Sequence, residues 1–183
     1  MNPLTVLDIG ANVGEWTEFH RILWPQAHFT LVEANPGCEG FLQNEDYHIA
    51  LLGSVVKDSV PFYTLSETST GASVYRELSH DYQDVEPLWL PQTTLDELFP
   101  ERAFELLKID TQGSEMDILR GGERIVQEAD CVILEVSYAP YNAGAPLEDE
   151  VRDYMAGLGF FCSRLDEYEW VSQRDLLFKR GRR

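Results

Sequence analysis

Four carboxylates, Asp8, Glu33, Asp110 and Glu135, stand at or near the ends of short apolar runs. One acidic run-end is ordinary. Four form a pattern, because ligands of open α/β sheets bind beyond the carboxyl ends of the strands. Carboxylates gathered there can hold hydroxyl groups or cations. The first run leads into a glycine loop, Asp8-Ile9-Gly10-Ala11-Asn12-Val13-Gly14. Gly10 permits a tight turn and Gly14 lets the loop approach the following helix, whose first N–H groups are free. Glu33 can accept both hydroxyls of a ribose, which matches a nucleoside ligand.

Two ligand classes compete for such a loop. A dinucleotide places its pyrophosphate there, usually on G-x-G-x-x-G. Here the spacing is G-x-x-x-G and Asp8 precedes it, which disfavours an anion. S-adenosylmethionine carries a sulfonium, an ammonium and a carboxylate. Clustered acids suit its cationic parts, and the helix start suits its carboxylate.

The elements that must carry these residues follow from periodicity. Residues 4–7 form a buried strand, and residues 13–23 a helix with Trp16, Phe19, His20 and Leu23 at helical spacing, closed by Pro25. Strands follow over 29–32 and 47–52, with a short helix over 37–43 between them. This alternation predicts a parallel sheet covered on both faces. Residues 60–65 suggest an additional strand. Residues 66–93 show few regular signals, and a segment of that length is usually functional or mobile. It is expected to be a lid or acceptor-recognition insertion. Thr94-Leu95-Asp96-Glu97 resembles a capping box. A strand over 104–109 ends at Asp110. Ser114 is placed to cap a helix over 115–120, which breaks at Gly121-Gly122 and resumes through Glu128. A strand over 131–136, a helix over 147–158 and strands over 160–165 and 176–179 complete the chain, the last strand pairing antiparallel. No internal domain boundary is visible, so residues 1–180 read as one domain and 181–183 as a basic tail.

Composition narrows the partners. The 183 residues are 44% hydrophobic, enough for one substantial core. The net charge of −18 repels phosphate backbones, so nucleic acid is not expected as a partner. Solubility alone also accounts for such acidity. Cys38, Cys131 and Cys162 lack disulfide or zinc-site spacing. No apolar run is long enough to span a bilayer and no signal core opens the chain. The expected location is cytoplasmic, away from membranes.

The glycine loop resembles the D-[VI]-G-A-N-x-G opening of FkbM-type methyltransferases. The resemblance continues at Ala50-Leu51, Gly71-Ala72-Ser73 and Thr94-Leu95-Asp96-Glu97-Leu98. It is strongest at Lys108-Ile109-Asp110-Thr111-Gln112-Gly113-Ser114-Glu115, which is similar to the family's K-I-D-x-E-G-x-E, and ends at Ile133-Leu134-Glu135-Val136. The resemblance implies a class I methyltransferase (Rossmann-like) α/β three-layer sandwich, with a mostly parallel seven-stranded sheet and a final antiparallel strand. It implies S-adenosylmethionine as cofactor and O-methylation of a small molecule or sugar. Gln112 departs from the pattern, standing where an acid is common. The longer N-terminal region of many relatives is not seen.

Cofactor binding is expected from Asp8, Gly10, Ala11, Asn12, Gly14, Glu33, Ala34, Asn35, Ala50, Leu51 and Asp110. Asp8 either reaches the cofactor's ammonium or bonds its own turn. Asn35, Ala50 and Leu51 either line an adenine pocket or simply pack. A hydroxyl acceptor must lose a proton, and the candidate bases are Asp110, Glu115, Glu135 and His80. Glu115 serves equally well at its helix start, and His80 as a surface histidine. Asp110 and Glu135 can also bind Mg²⁺ through oxygen, but no compact cluster is visible, so transfer without metal is favoured. Tyr75, Tyr82, Trp89, Tyr138 and Tyr141 are candidate acceptor contacts or core covers. Two alternatives remain: an NAD-type oxidoreductase, disfavoured by the loop spacing and by the lack of a Tyr-x-x-x-Lys pair, and a non-catalytic nucleoside-binding module.

Overall fold

The computed structural model describes residues 3–164 and 172–181. The basic residues 182–183 and the end of the expected strand 160–165 lie outside them. Among the described residues, ten strands and six α-helices follow in the order β1 (Thr5–Ile9), α1 (Glu15–Leu23), β2 (His28–Glu33), α2 (Glu39–Leu42), β3 (Asp46–Ile49), β4 (Leu51–Leu52), β5 (Lys57–Phe62), β6 (Leu88–Thr93), α3 (Leu95–Leu98), β7 (Leu106–Ile109), α4 (Glu115–Gly121), α5 (Glu123–Glu128), β8 (Cys131–Ser137), α6 (Glu148–Gly157), β9 (Phe160–Arg164) and β10 (Gln173–Arg180).

Seven strands form one sheet in the order β3-β2-β1-β7-β8-β10-β9. The pairings from β3 to β8 are parallel, and β10 runs antiparallel to both of its neighbours. Strand order reverses between β1 and β7, which places the switch point beside the glycine loop. The strands are apolar on both faces because helices cover both. Val6 and Leu106 face a core that includes Leu42 of α2, with Trp16 of α1 against it. Leu7, Ile9, Leu107 and Ile109 face the larger core with residues of α4, α5 and α6.

Three local expectations are corrected. The run 47–52 is two strands. It breaks at Ala50, whose N–H bonds Glu33 O at 2.8 Å, and β4 leaves for a second sheet ordered β4-β6-β5. The strand expected over 60–65 begins earlier and ends at Phe62. Residues 66–93 are not irregular throughout, because β6 closes them by pairing with β4 and β5. Pro91 within β6 and the exposed Trp89 hid that strand, since proline inside an apolar run argues against a strand.

Of the two expected helix caps, one forms and one does not. Thr94 accepts a hydrogen bond from Glu97 N at 3.2 Å, as an N-cap does. Ser114 makes no cap bond. Its hydroxyl donates to Thr111 O, and Glu115 takes over the capping of the turn.

Candidate active site

Strand register aligns the site. Val32, Ile9, Ile109 and Leu134 stand side by side on β2, β1, β7 and β8. The residues that follow them are Glu33, Gly10, Asp110 and Glu135, and all four border one cavity of about 690 Å³. Gly10 has φ 76°, and a Cβ there would lie 1.8 Å from the Asp110 carbonyl oxygen. Glycine is thus required where the turn crosses the neighbouring strand end.

Glu33 closes β2 and is nearly buried. Its Oε2 accepts the Asn12 N–H and its Oε1 the Asn35 N–H, both at 2.7 Å. Burial pushes its pKa up, and the N–H bonds from Asn35 and Asn12 oppose the rise. Each carboxylate oxygen can accept more than one bond, so both remain able to receive hydroxyls from the cavity. Around Glu33 the wall is apolar, formed by Ala34, Ala50, Leu51, Phe62 and Ala72. Leu51 and Phe62 belong to the small core between the two sheets.

Asp8 does not border the cavity. It is fully buried and lies in register with Lys108. The Lys108 Nζ stands 3.2 Å from Asp8 Oδ1 and 3.4 Å from Asp110 Oδ2, and donates to Gly10 O at 3.2 Å. Thr17 donates to Asp8 Oδ2 at 2.8 Å. Asp8 therefore ties the turn to α1 and to β7. Burial disfavours the Lys108 ammonium, but Asp110 and Asp8 outweigh it and hold its pKa above the ordinary lysine range.

Gln112 lines the cavity at φ 56°. Its Nε2 donates to Glu135 Oε2 at 2.6 Å and to Asp110 Oδ1 at 3.2 Å. Its Oε1 accepts from Gln173 Nε2 at 3.2 Å. Burial, followed by repulsion from Asp110 and Glu115, pushes the Glu135 carboxyl up to about 10.

The other expected residues divide by position. Asn12, Ala34, Ala50 and Leu51 line the cavity, whereas Ala11, Gly14 and Asn35 lie behind it. Asn35 binds its own turn and the loop beyond β5 through Gly37 N, Thr64 Oγ1 and Ser66 O. Glu115 is buried off the cavity, accepting from Thr111 N, Thr111 Oγ1 and Gly113 N. Burial raises it to about 7. His80 is exposed and outside the cavity lining. Tyr82 and Tyr141 border the cavity, whereas the Tyr75 hydroxyl donates to Asp117 at 2.7 Å and Trp89 faces outward. Sequence reasoning missed Glu77, Asp81, Ser172 and Gln173 on the wall, which come from loops, a short 3-10 turn and a distant strand with no local signal. Among the described residues no group of three or more His, Cys, Asp or Glu is placed to hold a metal ion. No helix among them is long and apolar enough to cross a membrane.

The methyltransferase FkbM domain matches residues 8–162. The chain belongs to this family. Among curated proteins, none matches it. The methyltransferase FkbM from Methylobacillus flagellatus KT superposes with a TM-score of 0.66 at 15% identity, over 97% of this chain and 44% of that one. This chain thus spans less than half of that FkbM protein. Magnesium protoporphyrin IX methyltransferase from Synechocystis PCC 6803, solved with bound SAM, superposes with a TM-score of 0.54 at 14% identity, over 98% of this chain and 71% of its own. The sugar N-methyltransferase KedS8 from Streptoalloteichus sp ATCC 53650 gives 0.51 at 8% identity, over 99% and 81%. The fold is that of class I methyltransferases, and S-adenosylmethionine is the cofactor expected of an FkbM domain. The cavity fits it by chemistry: a two-oxygen acceptor at Glu33, an apolar slot beside it, and carboxylates where positive charge must rest.

Proposed function

We propose that this chain transfers the methyl group of S-adenosylmethionine to a hydroxyl oxygen of a small molecule or sugar. Glu33 holds the ribose hydroxyls, the apolar wall from Ala34 to Ala72 holds the base, and Gly10, Asn12 and Asp110 border the methionine part. When bound, the cofactor supplies an electrophilic methyl carbon on a positively charged sulfur. The chain's own task is to hold the acceptor oxygen in line and to take its proton.

Glu135 is the base in this reading, and its placement carries the proposal. Of the four candidates, only Asp110 and Glu135 border the cavity. Asp110 is already paired with Lys108. Glu135 is half-buried at the wall and bonded to the Gln112 amide, and its raised proton affinity suits removal of an alcohol proton. That proton ends on the Glu135 carboxylate.

Calorimetric titration with S-adenosylhomocysteine tests the cofactor half and should show saturable binding at one site. Incubation with ¹³C-methyl-labelled cofactor and a panel of sugars and polyketide alcohols tests the rest. The labelled carbon should appear in NMR as a methyl ether. A methylamine product instead refutes O-transfer, and cofactor binding without transfer to any acceptor favours the non-catalytic alternative.

A further inference from the structure

The cavity has a chemical asymmetry that the methyl-transfer reading does not use. Besides the strand-end acids, its wall carries Glu77, Asp81, Tyr82 and Tyr141. Glu77 is only partly exposed, and a Cβ at Gly71 would lie 2.8 Å from its Oε2 and 2.9 Å from the Tyr82 hydroxyl. The loop thus leaves its glycine bare where this carboxylate and phenol meet. The Tyr82 hydroxyl is shared with Ser69 Oγ at 3.0 Å. Tyr141 bonds Glu77 and lies within electrostatic reach of Glu135.

Among the described residues, no Lys, Arg or His borders the cavity. Lys108 and Arg76 are engaged elsewhere. Lys108 lies behind the wall between Asp8 and Asp110. Arg76 stacks over Tyr63 and donates to Tyr82 O and Gln83 O. A phosphate or carboxylate beside Glu77 and Asp81 would meet like charge, with no cation among the described wall residues to offset it. An ammonium would meet Glu77 with Asp81 beside it, a favourable charge-assisted pairing.

We propose that the acceptor is an amine-bearing polyhydroxylated molecule, of amino-sugar type, whose ammonium rests on Glu77 while a neighbouring hydroxyl faces Glu135. This rests on the methyl-transfer reading and narrows its acceptor. A protonated amine has no lone pair to donate, so the anchoring group is distinct from the methylated oxygen. Acceptors carrying phosphate, sulfate or carboxylate are excluded.

The test uses the full chain saturated with S-adenosylhomocysteine and saturation-transfer NMR at neutral pH. The probes are glucosamine, glucose, glucose 6-phosphate and glucuronate. Glucosamine should receive saturation and bind more tightly than glucose, and the two anions should receive none. Glu77→Gln, which keeps the shape and the Tyr141 bond, should weaken glucosamine at least about tenfold and leave glucose unchanged, as loss of one charge-assisted bond predicts. Its unchanged affinity for S-adenosylhomocysteine reports that the variant is folded. Saturation of either anion, no saturation of glucosamine, or wild-type glucosamine affinity in Glu77→Gln overturns the inference. Failure of the wild-type chain to bind S-adenosylhomocysteine is a separate result, which sinks the methyl-transfer reading itself.

Discussion

The Glu135 carboxylate is held by the Gln112 amide, Nε2 to Oε2, at 2.6 Å. The same nitrogen reaches Asp110 at 3.2 Å, so a neutral donor lies between two acids. At this position the family's motif has an acid. A carboxylate there would repel both neighbours, whereas the amide bonds both.

On the proposal that Glu135 takes the acceptor proton, the pH profile follows from its carboxyl standing at about 10. The ionised form is scarce at neutral pH. Transfer should climb by about tenfold per pH unit until it levels near that value. Gln112→Glu adds a negative charge beside it and should move the levelling point further up. A profile that is flat through neutral pH in the wild-type chain rejects Glu135 as the base.

Glu33→Gln leaves one oxygen where two were, and places an N–H₂ against a backbone donor. Affinity for S-adenosylhomocysteine should fall by about 1.5–3 kcal/mol, roughly tenfold to more than a hundredfold. Isothermal calorimetry checks this, with circular dichroism confirming the fold. Wild-type affinity rejects the ribose assignment.

Gly10→Ala should be severely destabilising. Its φ of 76° and the 1.8 Å approach to Asp110 O leave no place for a Cβ. Left-handed backbone and steric overlap together should cost at least about 3 kcal/mol. Urea unfolding measures the loss, and a midpoint equal to wild type contradicts the turn geometry.

Lys108→Met removes the ammonium between Asp8 and Asp110. Breaking a buried pair on one side should cost about 3–5 kcal/mol, because Asp8 is left buried with the Thr17 hydroxyl and no counter-charge. The double variant Lys108→Met with Asp8→Asn should recover part of that loss. An equal loss in both variants would mean that lysine packing, not charge, holds the turn.

Glu115 titrates at about 7 in the folded chain, above the ordinary 4.5. The native state binds this proton more tightly than the unfolded one. The stability it contributes is therefore full below pH 4.5 and is lost as pH rises through 7. Glu115→Gln cannot titrate, so wild type should lose about 3 kcal/mol relative to the variant over that interval. Unfolding curves for both proteins across this range decide it, and parallel curves refute it.

The residues of the site were legible because each sits where local pattern speaks. Gly10 and Gly14 mark a turn no other residue makes easily, and apolar runs point to Glu33, Asp110 and Glu135. Such signals are short-range, carried by chain direction and alternation along a strand. Asp8 was also legible as part of the loop, but its role was not. Only the pairing of β1 with β7 sets it against Lys108, and that partner lies across the sheet. The same holds for Gln112, Gln173, Glu77 and Tyr141. They meet because β8 pairs with β10 and because the loop before β6 folds over the strand ends. Spacing along one sequence carries no record of which distant segments meet, since loop closure costs little more for longer loops. The sequence by itself determined the turn, the strand ends and the acidic rim. The packed sheet alone decided which of those acids face the cavity, and which one carries its charge against a lysine behind the wall.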